Sequence, residues 1–91
     1  MTRNLLKCNS VEYRKGYIEI APNIHPNCVN IELWEISAEK DISTLNFDDE
    51  DSFIDEDVIA NIELELNVQE AKALINKLSN AIKAVENAKD T

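Results

Sequence analysis

The chain has 91 residues, 44% of them hydrophobic, and a net charge of -9. This length allows one small domain with a modest core, and the hydrophobic content is that of a globular rather than a disordered protein. No apolar run approaches the roughly 20 residues that a membrane span needs, and the first residues lack the apolar core of a signal peptide. We therefore expect a single domain over residues 1–91 that stays in the cytoplasm, with Cys8 and Cys28 as free thiols.

The first half of the chain predicts three strands. Apolar and polar residues alternate on both sides of Gly16 over residues 11–20, which predicts a β-hairpin whose turn uses the positive φ that glycine allows. Two prolines interrupt regular structure over residues 21–27, so a loop follows the hairpin. Alternation resumes over residues 28–37 and predicts a third strand with one apolar side.

The second half predicts a loop, a strand and a helix. Residues 38–57 lose the periodicity and carry two clusters of carboxylates, which predicts an exposed acidic loop. Residues 59–66 alternate strictly and predict a fourth strand. Asn67 and Glu70 have the chemistry of a helix N-cap and its capping-box partner, and apolar residues then recur at three-to-four spacing over about residues 68–88. The sequence therefore predicts an α+β fold, a small antiparallel sheet of four strands packed on one long C-terminal helix, in the order ββββα.

The acidic residues are concentrated in the middle of the chain. Residues 19–70 contain fifteen acidic residues and one basic residue, Lys40, a local net charge of -14, whereas both ends are mildly basic. If the apolar sides of the strands meet the helix, the glutamates of the strands and Trp34 share the opposite side of the sheet. Such a surface attracts a basic protein and repels nucleic acid and anionic membranes. The residues predicted to bind this basic partner are Glu19, Glu32, Trp34, Asp48, Asp49, Glu50, Asp51, Asp55, Glu56, Asp57, Glu63 and Glu65.

Two interpretations of the acidic surface stay open. It imitates a nucleic-acid backbone, because duplex DNA carries about 18 charges over the roughly 30 Å that such a domain spans, or it is a solvated surface that keeps a small protein soluble. Trp34 is either an apolar anchor for the partner or part of the core. Phe53 and Ile54, within the acidic loop, either fill a pocket of the partner or tie the loop to its own domain.

The sequence contains no clear catalytic or metal-binding pattern. Cys8, His25 and Cys28 are possible zinc ligands, but a structural zinc site needs four. The acidic loop lacks the glycine and the final glutamate of an EF-hand loop, and there is no phosphate-binding glycine loop. An open sheet does not give Glu63 and Glu65 the buried setting of a catalytic acid-base pair. We therefore predict that the protein is not an enzyme and uses no metal or cofactor.

The size of the chain and its acidic stretch over residues 19–70, about half of its length, resemble the small acidic proteins with which phages and mobile elements block host defence. Anti-CRISPR inhibitors belong to that class, and the resemblance rests on size and charge rather than on a motif. It implies a stoichiometric inhibitor that occupies a basic nucleic-acid-binding site on a defence protein in a bacterial host. The alternatives are an immunity or antitoxin protein against a basic toxin nuclease, and a small accessory or structural subunit that is dimeric through a sheet edge.

Overall fold

The structure, a computed structural model, describes residues 4–43 and 57–89. It has the α+β fold and the ββββα order predicted from the sequence. Consecutive strands are neighbours in one antiparallel sheet, in the order β1-β2-β3-β4. The elements are β1 (Leu5–Cys8), β2 (Lys15–Pro22), β3 (Cys28–Ile36), β4 (Val58–Asn67) and α1 (Val68–Lys89).

The junction between β4 and α1 follows local sequence signals. The strand ends at Asn67 and the helix begins at Val68, with no connecting residue between them. The backbone N of Glu70 donates to Oδ1 of Asn67 (2.8 Å), and the backbone N of Asn67 donates to Oε1 of Glu70 (2.9 Å). This reciprocal pair is the predicted capping box, and it fixes the residue at which the helix starts.

The first hairpin lies elsewhere than the sequence predicted. Its first strand is β1 and its connection is residues 9–14, so that Val11 and Tyr13 are exposed in the turn. Gly16 lies inside β2 and does not have a positive φ. A Cβ at this position would overlap the backbone carbonyl of Trp34 on β3. The prediction of a turn at Gly16 was wrong because this glycine allows two strands to approach closely, a contact that the local sequence does not reveal.

The loop between β2 and β3 is shorter than predicted. β2 continues to Pro22, which leaves residues 23–27 as the connection. Asn23 and Asn27 have positive φ values of 58° and 64°, a conformation that asparagine tolerates better than most residues. The backbone N of Asn23 donates to the carbonyl of Cys28 (2.9 Å), so the loop is closed at its base.

The register gives the sheet two unlike faces, because residues directly opposite each other in neighbouring antiparallel strands point to the same side. We call one side the apolar face. It carries two cross-strand rows, Leu6, Ile18, Leu33 and Ile62, and Ile20, Ile31 and Leu64. We call the other side the acidic face, and it carries Glu19, Glu32, Glu63 and Glu65.

A small core lies on the acidic face and not under the helix. Its buried members are Tyr17, Ile36 and Ile42, and Leu5, Trp34 and Val58 pack around them. Ile42 belongs to the segment 37–43, which returns across one end of the sheet, and its side chain is fully buried. Residues 38–43 form a loop, as predicted, in which Ala38, Glu39, Asp41 and Ser43 are exposed, but the prediction of exposure is wrong for Ile42. Residues 44–56 lie outside the described part of the chain.

The helix meets the sheet near its own first turns. Leu74 lines a cavity of about 240 Å³ together with five residues of the apolar face. Further along α1, Leu78, Ile82 and Val85 are more than half exposed, and several side chains of the apolar face are exposed as well. Within residues 4–43 and 57–89, no helix is both long enough and apolar enough to cross a membrane.

Candidate functional site

Three glutamates form a row across the acidic face. Glu32 of β3 lies opposite Glu19 of β2 on one side and opposite Glu63 of β4 on the other. Neighbouring strands are about 4.8 Å apart, so the backbone positions of the three glutamates span roughly 10 Å. Like charges directly opposite each other destabilise a sheet. The row therefore places three carboxylates close together on one side of three neighbouring strands.

An amide holds the central glutamate of the row. Nδ2 of Asn61 donates to Oε2 of Glu32 (3.2 Å) and to the carbonyl of Leu33 (2.9 Å). Because the amide is neutral, it orients the carboxylate without cancelling its charge. Alternation placed Asn61 on this side of β4 but did not identify it as part of the site. Its partner on β3 depends on the register between the strands, which alternation alone does not give.

Glu65 extends the acidic face towards the loop of residues 23–27. Nδ1 of His25, in that loop, donates to Oε1 of Glu65 at the surface. His25 is thus part of the acidic face. Cys8 and Cys28, the other two possible zinc ligands, are free thiols at opposite ends of the sheet. In the described part of the chain, no three His, Cys, Asp or Glu side chains are grouped so as to hold a metal ion.

Trp34 lies between the glutamate row and the small core. It is directly opposite Tyr17 on β2 and Asn61 on β4, so it points to the same side as the glutamates. Its side chain is half-buried and packs against the core formed around Tyr17 and Ile36. The sequence left open whether Trp34 is part of the core or an apolar anchor for a partner. These two roles are compatible, because the side chain packs on the core and also reaches the surface beside Glu32.

Two lysines, Lys7 and Lys15, also lie on the acidic face. Nζ of Lys15 and Nζ of Lys7 donate to backbone carbonyls of the segment 37–43, at 3.1 Å and 3.0 Å. Lys15 precedes Glu19 by four positions on β2, a distance of about 13 Å along the strand. Lys7 lies opposite Tyr17 and is therefore a diagonal cross-strand neighbour of Glu19. Both lysines hold the segment that covers the small core.

Two acidic residues near this segment interact within the chain. Oδ2 of Asp57 lies 3.6 Å from Nζ of Lys40. Oγ and the backbone N of Ser43 donate to Oδ1 of Asp41, at 2.7 Å and 2.9 Å. These hydrogen bonds, together with the charges of two nearby lysines, hold the pKa of Asp41 below its ordinary value. The predicted acidic-loop residues that lie outside the described residues are Asp48, Asp49, Glu50, Asp51, Asp55 and Glu56, along with Phe53 and Ile54.

Comparison of the chain with protein-family models, with curated proteins and with solved structures finds no match. The function is therefore inferred from the geometry and the charge of the acidic face.

Proposed function

We propose that this protein is a non-enzymatic inhibitor whose acidic face occupies a basic, nucleic-acid-binding site on another protein. The observation that supports this proposal is the row of Glu19, Glu32 and Glu63, held in register across three strands. It puts carboxylates at short, regular spacing on one side of a sheet, where they can substitute for phosphate groups. The target we propose is a defence protein such as a CRISPR effector, in the cytoplasm of a bacterial host of a phage or mobile element.

The acidic face is preorganised for such a contact. β3, which carries Glu32, is paired along its length on both sides, and Asn61 orients the Glu32 carboxylate. A surface that is already ordered loses less conformational entropy on binding than a flexible one. The net charge of -14 over residues 19–70 adds long-range attraction for a basic partner, which accelerates association.

Trp34 supplies the apolar contact of the proposed interface. Binding energy at protein interfaces is concentrated in a few large side chains, among which tryptophan is enriched. Because the small core already holds one side of Trp34, little side-chain freedom remains to be lost when a partner packs against it.

A competition experiment tests the proposal. The tagged protein captures basic proteins from lysates of bacterial hosts, and each purified captured protein is then assayed for binding to labelled nucleic acid. We expect this protein to displace the nucleic acid at stoichiometric amounts. Glu63→Lys should weaken displacement by about tenfold or more, because it reverses a charge at an exposed position of the row.

Glu12→Lys is the matched control. It makes the same change of charge in the exposed connection between β1 and β2, outside the acidic face. We expect it to displace nucleic acid nearly as well as the wild type. A captured protein that keeps its nucleic acid in the presence of excess inhibitor would contradict the proposal. If Glu63→Lys and Glu12→Lys weakened displacement of the nucleic acid equally, the effect would come from net charge and not from the glutamate row.

A further inference from the structure

Two apolar surfaces of this chain are exposed to solvent. One is the apolar face, on which Ile62 and Leu64 of β4 are 53% and 62% exposed. The other is a stripe along α1, here called the helix stripe, whose side chains are 37% to 62% exposed. The helix stripe consists of Leu74, Ile75, Leu78, Ile82 and Val85, residues that share one side of the helix because of their three-to-four spacing.

The chain's own helix does not cover its own sheet. A helix that folds back across the strand preceding it needs a connection of a few residues. Here α1 begins directly after β4, and the capping box of Asn67 and Glu70 fixes that start. Only Leu74, of the helix stripe, lines the cavity over the apolar face. The helix is about 33 Å long and β4 about 34 Å, so each surface is large enough to cover the other.

The size of the exposed surface fits an interface between two copies. Ten large apolar side chains on the two surfaces are between 37% and 62% exposed: Leu6, Ile20, Leu33, Ile62, Leu64, Leu74, Ile75, Leu78, Ile82 and Val85. At roughly 30 Å² of accessible surface per carbon atom, ten half-exposed side chains of this size present about 600 Å² on each copy. Two copies that cover each other would therefore bury about 1,200 Å², above the roughly 1,000 Å² that a stable interface needs.

We propose that a second copy of this chain covers both surfaces, with the helix stripe of each copy packed on the apolar face of the other. A single twofold-symmetric dimer then covers all four surfaces, because the helix stripe of each copy packs on the apolar face of the other. The two apolar surfaces, one a sheet face and the other one side of a helix, match in length and in chemistry. The proposal is independent of the acidic face and of its proposed function.

The placement of the charged side chains allows a second copy to be the occupant. The glutamates of the acidic face point to the other side of the sheet, so packing a helix stripe on each apolar face leaves both acidic faces on the outside of the dimer. Glu35 is the one charged side chain that the register of β2, β3 and β4 places on the apolar face. Desolvation of charge in this interface is therefore small.

Sedimentation equilibrium of the full chain tests the proposal. We expect the wild type at micromolar concentration to have twice the mass of the chain. Leu78→Glu and Leu64→Glu each put a charge into the proposed interface and should raise the dimer dissociation constant at least tenfold. Asn80→Glu is the matched control, since it adds the same charge on the opposite side of α1, and it should remain dimeric.

A mixture of the two variants distinguishes helix-on-sheet packing from other dimers. The Leu64→Glu chain keeps an intact helix, and the Leu78→Glu chain keeps an intact sheet. Their mixture restores one of the two helix-on-sheet contacts, so we expect a heterodimer that is tighter than either homodimer. A dimer formed through the edge of β4 would instead survive both substitutions, and that result would overturn the proposal.

Thermal unfolding gives a second measurement if a variant fails to fold. The midpoint of a dimer rises with protein concentration, because dissociation accompanies unfolding. We expect the midpoint of the wild type to rise over a hundredfold range of concentration. A wild-type chain that sediments as a folded monomer, with a midpoint that does not change with concentration, would overturn the proposal while leaving the proposed function of the acidic face untouched.

Discussion

Tyr17 connects the small core to the charges around it. Its side chain is only 3% exposed, and burial raises the pKa of the Tyr17 hydroxyl, with a further rise from the carboxylate of Asp57. A tyrosine in the unfolded chain ionises near pH 10. Above that pH the unfolded state has released a proton that the folded state still holds. The free energy of unfolding therefore decreases as the pH rises from about 10 through the higher pKa of folded Tyr17.

We predict that Tyr17→Phe removes this alkaline loss of stability. The side chain keeps its ring in the core and no longer has a proton to release. The measurement is chemical denaturation at a series of pH values from about 8 to 11, around the ordinary pKa of tyrosine. Tyr13→Phe is the matched control, because Tyr13 is exposed in the first turn, and it should keep the wild-type slope. If the free energy of unfolding depended on pH equally in the wild type and in Tyr17→Phe, the raised pKa of Tyr17 would be contradicted.

At the scale of elements, the capping box of α1 is the clearest case of structure determined by local sequence. We predict that Asn67→Ala lowers the free energy of unfolding by about 1 kcal/mol, because the backbone N of Glu70 loses its acceptor. Asn80→Ala, inside the helix, should leave stability unchanged or slightly higher, since alanine has the greater helix propensity. Denaturation of the three proteins at one fixed concentration measures both effects. A loss of the same size in both variants would contradict a capping role.

The elements that were predicted correctly depend on near neighbours in the chain. β3, β4 and α1 are visible as alternation or as three-to-four spacing, and the two faces of the sheet follow from that alternation. β1 was missed because Leu5–Cys8 is short and contains no clear alternation, whereas Val11 and Tyr13 imitate a strand. The roles of Ile42 and Asn61 depend on how distant segments meet, through the returning segment 37–43 and the register of β3 with β4.

At the scale of the whole molecule, the two faces of one sheet differ in chemistry. The acidic face carries carboxylates that oppose one another across strands, and the apolar face with the helix stripe carries exposed apolar side chains. We propose a different partner for each, a basic site for the acidic face and a second copy of the chain for the apolar face and the helix stripe. In the proposed dimer, two acidic faces point outwards, so one assembly can engage two basic sites.

The salt dependence of binding tests the central claim, that the acidic face binds a basic nucleic-acid-binding site. The dissociation constant between this protein and the captured partner is measured from low to moderate salt. We predict an increase of about tenfold or more between roughly 50 and 200 mM, because screening weakens attraction between exposed charges. The sedimented mass of this protein alone, measured in the same buffers, should not change. A dissociation constant that is independent of salt would contradict the claim.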